Sequence, residues 1–308
     1  MKIAIIGLGD IAQKAYLPII TQLEGIQPVF CTRDATTLQR LATRYRVVEF
    51  CPDYRDLPGM GIDAVMIHAA TSVHAELAQY FLAHGIATFV DKPLADNAAE
   101  VENLYEMAER YRQPLYVGFN RRHVPLFNQH IPEMAQGQTG AITSLRWEKH
   151  RFDLPGEVRT FIFDDFIHPL DSVNLNAQSR LQDVFVHWRK DGQKLAALEV
   201  QWQHQGTLLS AVMNRQFGTT LERVNVSYQN RAYQFDSFSQ GCCWSERNQS
   251  EIALPDWTPM LSSKGFEAMI LDWIRVVRQG YIEPATVERN IASHQLAEAL
   301  CERILTDL

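Results

Sequence analysis

The sequence predicts an α/β protein, a doubly wound parallel sheet followed by an α+β domain with an open, mainly antiparallel sheet. Three observations carry this. Short apolar segments alternate with helix-length segments as far as Gly118. The first apolar segment runs directly into Gly7-Leu8-Gly9-Asp10-Ile11-Ala12, a G-x-G-x-x-A turn, and a helical pattern follows (Ile11, Ala15, Ile19, Leu23). From Thr139 the rhythm changes to strand-like segments with period-2 alternation and no helices between them. Parallel strands need long crossovers, usually helical, whereas antiparallel strands join through short turns.

Each element has its own reason. Lys2-Ile3-Ala4-Ile5-Ile6 is a short apolar run of the kind a sheet buried on both faces requires. Pro28 to Cys31 reads as the second strand, with a helix from Ala35 to Tyr45. Asp63 to His68 is a third strand before a helix from His74 to His84, and Ala87 to Val90 a fourth before a helix from Ala98 to Tyr111. Leu115 to Gly118 is the fifth. In the second part, Val184 to Arg189, Leu198 to Gln203, Leu208 to Met213, Val224 to Tyr228 and Ala232 to Phe235 alternate as half-buried strands do. Helices from Gly265 to Gln279 and Thr286 to Leu305 close the chain. The boundary is expected near Phe119–Asn120, giving domains of residues 1–119 and 120–308.

Composition narrows the function classes. A chain of 308 residues with 46% hydrophobic and 21% charged residues is an ordinary globular protein with ample core. Its net charge of −7 argues against a nucleic-acid surface, which would need a clustered basic footprint. No apolar run reaches membrane-spanning length, and the opening run meets Gly7 and Asp10 too soon for a signal peptide. Five cysteines without C-x-x-C spacing are expected to be reduced thiols in a cytoplasm, with neither zinc nor a disulfide frame.

The turn after the first strand predicts a dinucleotide site. Gly7 allows the tight turn, Gly9 lets backbone approach a pyrophosphate, and Ala12 lets helix pack on strand. Asp10 and Ile11 complete this loop, and the phosphates would sit at the positive end of the helix. The tip of the second strand, Cys31-Thr32-Arg33, has no acid to accept from ribose hydroxyls. It offers the Thr32 hydroxyl and the Arg33 guanidinium, which suits a 2′-phosphate, so NADP is expected ahead of NAD. Asp34 comes too late and is expected to cap the next helix. At the end of the fourth strand stands Asp91-Lys92-Pro93. Lys92 is one of only seven lysines, and an ammonium on that rim could polarise a substrate oxygen.

Together these segments resemble the Gfo/Idh/MocA oxidoreductases, which include glucose–fructose oxidoreductase and inositol dehydrogenase. The resemblance runs through the glycine turn, Asp63 to His74, Asp91-Lys92-Pro93, Gly118-Phe119-Asn120-Arg121-Arg122 and Asp164-Asp165-Phe166-Ile167-His168-Pro169-Leu170-Asp171. It is nearest to the branch called virulence factor MviM, which has Asp-Lys-Pro where most relatives have Glu-Lys-Pro. The resemblance implies a Rossmann domain and hydride transfer between a nicotinamide cofactor and a CH–OH group of a sugar, cyclitol or derivative. Lys92 is implied to contact both cofactor and substrate, His168 to act as general acid/base, and Asp164 to be its partner in a D-x-x-x-H pair. Residues four apart share a helix face, and imidazole titrates near neutrality, so the pair is chemically apt. Ala69, Thr71, His74 and Asp91 join the implied cofactor contacts, and Arg122 the substrate contacts. No third Cys or His has ligand spacing, so no metal is expected.

Two departures stand out. Thr160-Phe161-Ile162-Phe163 replaces a Gly-Gly stretch before the D-x-x-x-H pair, and His68-Ala69-Ala70-Thr71 replaces a Thr-Pro loop. His68 and His74 read equally as cofactor contacts or as buried strand-end and helix-start residues. A catalytically silent NAD(P)-binding regulatory protein of the same fold is the alternative reading. Apolar positions on both faces of the second sheet, such as Phe185 against Val184 and Val186, predict a homodimer or dimer of dimers through residues 139–238.

Overall fold

The computed structural model describes residues 1–306. Packing divides the chain into two units: Met1–Gly118 with Phe266–Glu283, and Phe119–Gly265 with the chain from Pro284 onward.

The first unit holds β1 (Lys2–Ile6), β2 (Gln27–Cys31), β3 (Glu49–Cys51), β4 (Ala64–Ile67), β5 (Ala87–Asp91) and β6 (Leu115–Gly118). They form one sheet in the order β3-β2-β1-β4-β5-β6, with every neighbouring pair parallel. This is the doubly wound order, with its reversal between β1 and β4. β4, β5 and β6 are buried throughout, as apolar strands covered on both faces must be. The predicted helices form at Ala35–Tyr45, His74–Ala83 and Ala98–Tyr111. Asp34 caps the first of them, accepting from the Thr37 N–H at 2.7 Å. Behind β1 the helix is wound wide over Ala12–Tyr16 before an α turn at Leu17–Ile20. β3 escaped the sequence reading because Glu49-Phe50-Cys51 is three residues long with Phe50 exposed. It exists because β2 offers a free edge.

The helix Phe266–Gln279 packs with this first unit, whereas a cut at 119/120 assigns it to the second. The reason is aromatic burial. Trp273 is fully buried with its ring 6.0 Å from Phe89 and 5.7 Å from Tyr116, and the Tyr116 hydroxyl donates to Asp272 at 3.0 Å.

The second unit is built on β7 (Ser144–His150), β8 (Val184–Asp191), β9 (Lys194–His204), β10 (Thr207–Asn214), β11 (Leu221–Tyr228), β12 (Arg231–Phe235), β13 (Gln240–Ser245) and β14 (Asn248–Ala253). Their order is β14-β13-β12-β11-β7-β10-β9-β8, and only β7 and β10 run parallel. One face is apolar: Val200, Ala211, Trp147 and Val224 lie in a single cross-strand row and are all buried. The helix Ile167–Val173 covers β7 and β10 on this side, and the long helix Pro284–Thr306 packs on that helix. The opposite face is largely polar, with Arg146 bridging Glu148 and Glu199 at 2.7 Å each. Phe185, Leu208 and Trp244 are large apolar side chains exposed on it. Among the described residues no helix is long and apolar enough to cross a membrane.

Candidate functional site

At the carboxyl ends of the first sheet, Gly7 has φ +84°, and a Cβ there would lie 2.6 Å from the Ala69 nitrogen. Both constraints demand glycine. A Cβ at Gly9 would meet no protein atom within 4 Å, so the protein's own packing does not set the small residue there. Ala12 is fully buried where helix meets strand, while Asp10 and Ile11 are exposed and Asp10 pairs with Lys14 at 2.8 Å. A closed turn at Gly7, an open approach at Gly9 and a packed Ala12 fit a bound dinucleotide. At the β2 tip Thr32 is half-buried and Arg33 exposed, and the acid that follows, Asp34, is engaged by its helix.

Farther along the rim a hydrogen-bonded network lies beneath the loops. Asp91 is buried and accepts from the Tyr16 hydroxyl at 3.0 Å and the Lys92 N–H at 2.8 Å. Burial raises its carboxyl pKa, against the opposing pull of the Lys92 charge. Gly118 leaves room for this contact, since a Cβ there would lie 3.1 Å from the Tyr16 oxygen and 3.2 Å from Asp91 Oδ1. Lys92 itself is half-buried and joined to Pro93 by a cis peptide bond. His74 is buried, with Nδ1 2.8 Å from the Pro93 carbonyl oxygen and Nε2 2.9 Å from that of Ala69. It therefore ties the loop after β4 to the loop after β5. Ala69 and Thr71 are half-buried on the first of these loops. The His68 ring lies on Tyr16, with centroids 3.9 Å apart, and neither ring nitrogen has a hydrogen-bond partner among the described residues. Burial first, and the neighbouring His74 second, push its pKa down to about 3.

In the second unit the D-x-x-x-H segment is wound wide over Phe161–Phe166 and continues as the helix Ile167–Val173. Asp164 is exposed and His168 buried. Beside them lies a charged group that sequence reasoning did not assemble. Buried Asp165 receives Lys149 Nζ at 2.5 Å, Arg151 through Nη2 at 2.9 Å and Nε at 3.0 Å, and Arg215 Nη2 at 3.1 Å. Burial alone would raise its carboxyl pKa, but Lys149 and Arg151 hold it far below the usual carboxylate range. Only the alternation of Trp147 and Lys149 along β7 could have placed Lys149 on the covered face.

Arg122, expected at the substrate, places Nε 2.9 Å and Nη2 2.5 Å from the two carboxylate oxygens of Asp171. Its guanidinium thus braces the helix that carries His168. Arg289 and Ser293 complete that buried cluster, Arg289 donating to the Asp171 carbonyl at 2.6 Å and Ser293 to its carboxylate at 2.8 Å. Among the described residues no group of three or more His, Cys, Asp or Glu is arranged to hold a metal ion.

Comparison with known proteins agrees with this fold. Residues 1–119 match the model of the oxidoreductase family with an NAD-binding Rossmann fold, and residues 131–243 match the YceM-like C-terminal domain. A crystal structure of a Gfo/Idh/MocA family oxidoreductase from Vibrio cholerae is 60% identical with a TM-score of 0.99, covering 100% of this chain and 99% of that one. The dehydrogenase MviM from Clostridium difficile is 26% identical with a TM-score of 0.86, over 100% and 99% of the two chains. The protein YceM of Salmonella typhimurium is 28% identical over 97% of each chain. The myo-inositol dehydrogenase Hyg17 of Streptomyces leeuwenhoekii is 28% identical over 56% of this chain and 54% of its own. The chain belongs to the Gfo/Idh/MocA oxidoreductase family, and its first unit is the NAD(P)-binding Rossmann domain of that family.

Proposed function

We propose that this protein transfers hydride between a nicotinamide cofactor and a CH–OH group of a sugar, cyclitol or derivative. The supporting observation is that one chain combines the Gly7 turn with Lys92 at the end of β5 and the Asp164/His168 pair. The kinship to a myo-inositol dehydrogenase supports the polyol class. When bound, the nicotinamide supplies the hydride donor or acceptor. Lys92 donates a hydrogen bond to the reacting oxygen, where alkoxide character develops. His168 takes up or returns the hydroxyl proton, and Asp164 orients it. Gly7, Gly9, Asp10, Ile11 and Ala12 hold the pyrophosphate, and Ala69, Thr71 and Asp91 form the nicotinamide side.

NADP is the preferred cofactor in this reading, because Arg33 is exposed at the β2 tip while Asp34 is engaged by its helix. Arg33→Ala should then cost about 1.5–3 kcal/mol of NADPH binding and spare NADH, as for hydrogen bonds to charged groups. Tighter binding of NADH by the wild type would reverse the assignment. Exposed Phe185 and Leu208 favour a dimer or dimer of dimers through the second sheet. Light scattering should read two or four times 35.2 kDa. The free cysteines fit a reducing, cytoplasmic setting.

The decisive test is a dehydrogenase screen over polyols and sugars with NADP and NAD in parallel. Lys92→Ala and His168→Ala should each lower kcat by about 10²–10⁴ with the fold intact. Near wild-type turnover in His168→Ala removes the acid/base role. Cofactor binding without turnover on any substrate would make the chain a nucleotide-binding regulatory protein instead.

A further inference from the structure

The end of the second sheet carries more positive charge than its own acids neutralise locally. Lys149 and Arg151 extend the covered face of β7, and Arg215 follows β10, the parallel neighbour of β7. All three converge on the single carboxylate of Asp165. The next acid along, Glu222, faces Lys149 across the β7–β11 pairing, but it is already held by Arg121 through two hydrogen bonds at 2.9 and 3.0 Å.

Donors are in surplus as well. A guanidinium has five N–H groups. Arg151 aims two of them at Asp165 and Arg215 one. Arg215 is buried, with its ring-like plane over Phe161 at 4.5 Å, and its Nε has no partner among the described residues. Lys149 is buried beside them. Burial pushes its pKa down to about 7, helped by Arg121 and Arg151 and opposed by Asp165 and Glu222. Proteins rarely bury cations without matching anions, because desolvation is then uncompensated. The cluster also adjoins the candidate chemistry, since Asp165 follows Asp164 directly and Arg215 feels the charge of both.

We propose that Lys149, Arg151 and Arg215 form a subsite for an oxyanion, a carboxylate or phosphate carried by the polyol substrate. Arg151 is the entry point, with a third of its side chain exposed (33%), while Arg215 and Lys149 supply buried charge behind it. The substrate class thereby narrows from neutral sugars and cyclitols to sugar acids or sugar phosphates. This rests on the oxidoreductase reading only for the word substrate, because oxyanion binding can be measured without turnover.

Isothermal calorimetry on the full chain, without cofactor, would compare D-glucose, D-gluconate and D-glucose 6-phosphate. At least one anionic sugar should bind ten-fold or more tightly than D-glucose, and the stronger of the two identifies the oxyanion as carboxylate or phosphate. That affinity should fall at least ten-fold in Arg151→Gln, recover substantially in Arg151→Lys, and weaken with added salt. Lys149→Met should weaken it too, with thermal unfolding used to confirm the fold. Equal affinity for all three sugars, or an unchanged anion affinity in folded Arg151→Gln, overturns the subsite. If the anion binds as described but no dehydrogenase screen shows turnover, the subsite stands and the hydride-transfer reading falls.

Discussion

The two units present polar groups at their sheet ends in opposite ways. In the first, the rim is made of backbone contacts and hydrogen bonds: Gly7 pressed against the β4 loop, Tyr16 on Asp91, His74 between two carbonyls. In the second, the corresponding work is done by buried ion pairs on Asp165, Asp171 and Glu222. Main-chain geometry of the first kind is encoded by short contiguous motifs, whereas the side-chain charges of the second are gathered from strands far apart in the chain.

This contrast can be broken experimentally. The largest effect is expected at the charged end: Asp165→Ala leaves three cations unneutralised and should cost about 3–5 kcal/mol of stability, read by denaturant unfolding. A cost within about 1 kcal/mol would show that water reaches the cluster and that the pairs are surface-like.

On the rim of the first unit, His68 tests whether its pocket excludes charge. Burial pushes its pKa down to about 3, from the ordinary imidazole value of 6.5. Below the unfolded value the unfolded chain binds a proton that the native chain refuses, so stability must fall as pH drops from about 6.5 towards 3. His68→Phe should flatten that acid limb relative to wild type, by about 1.4 kcal/mol per pH unit within the window. His294, lowered to about 4 by burial, contributes in the same direction and remains in both proteins. Identical acid limbs would mean that His68 takes up its proton without loss.

Gly7→Ala should cost about 2 kcal/mol or more through the positive φ and the contact with Ala69, and should abolish dinucleotide binding. Retained binding would sink the role of that turn. The smallest effect belongs to Asp34→Ala, about 1 kcal/mol from a lost helix cap. It should leave the NADPH-to-NADH preference untouched, whereas a changed preference would show that Asp34 faces the cofactor.

Several elements of the first unit were legible because local pattern and tertiary role coincide. A strand buried on both faces has to be an apolar run, so β1, β4, β5 and β6 declared themselves. Asp34 was readable as a cap because capping depends only on a residue's own helix. β3 was not legible, being three residues whose strand character comes from pairing with β2. β7 was hidden by Arg146, Glu148 and Lys149, which resemble a solvated stretch until neighbours on both sides cover one face. The family's D-x-x-x-H pair pointed to Asp164 and His168, but its neighbour Asp165 makes the ion pairs, and no spacing rule announces that.

By itself, then, the sequence determined the alternation of strands and helices, the dinucleotide turn and the family to which the chain belongs. These depend on interactions between residues close along the chain, or on motifs that a shared ancestry keeps together. Tertiary structure alone decided that the helix Phe266–Gln279 packs with the first unit, that Arg122 grips Asp171, and that Lys149, Arg151 and Arg215 meet on one carboxylate. Burial energy is indifferent to sequence separation, and electrostatic pairing inside a protein depends on distance in space. Which distant residues become neighbours is set only when the sheets close over their cores.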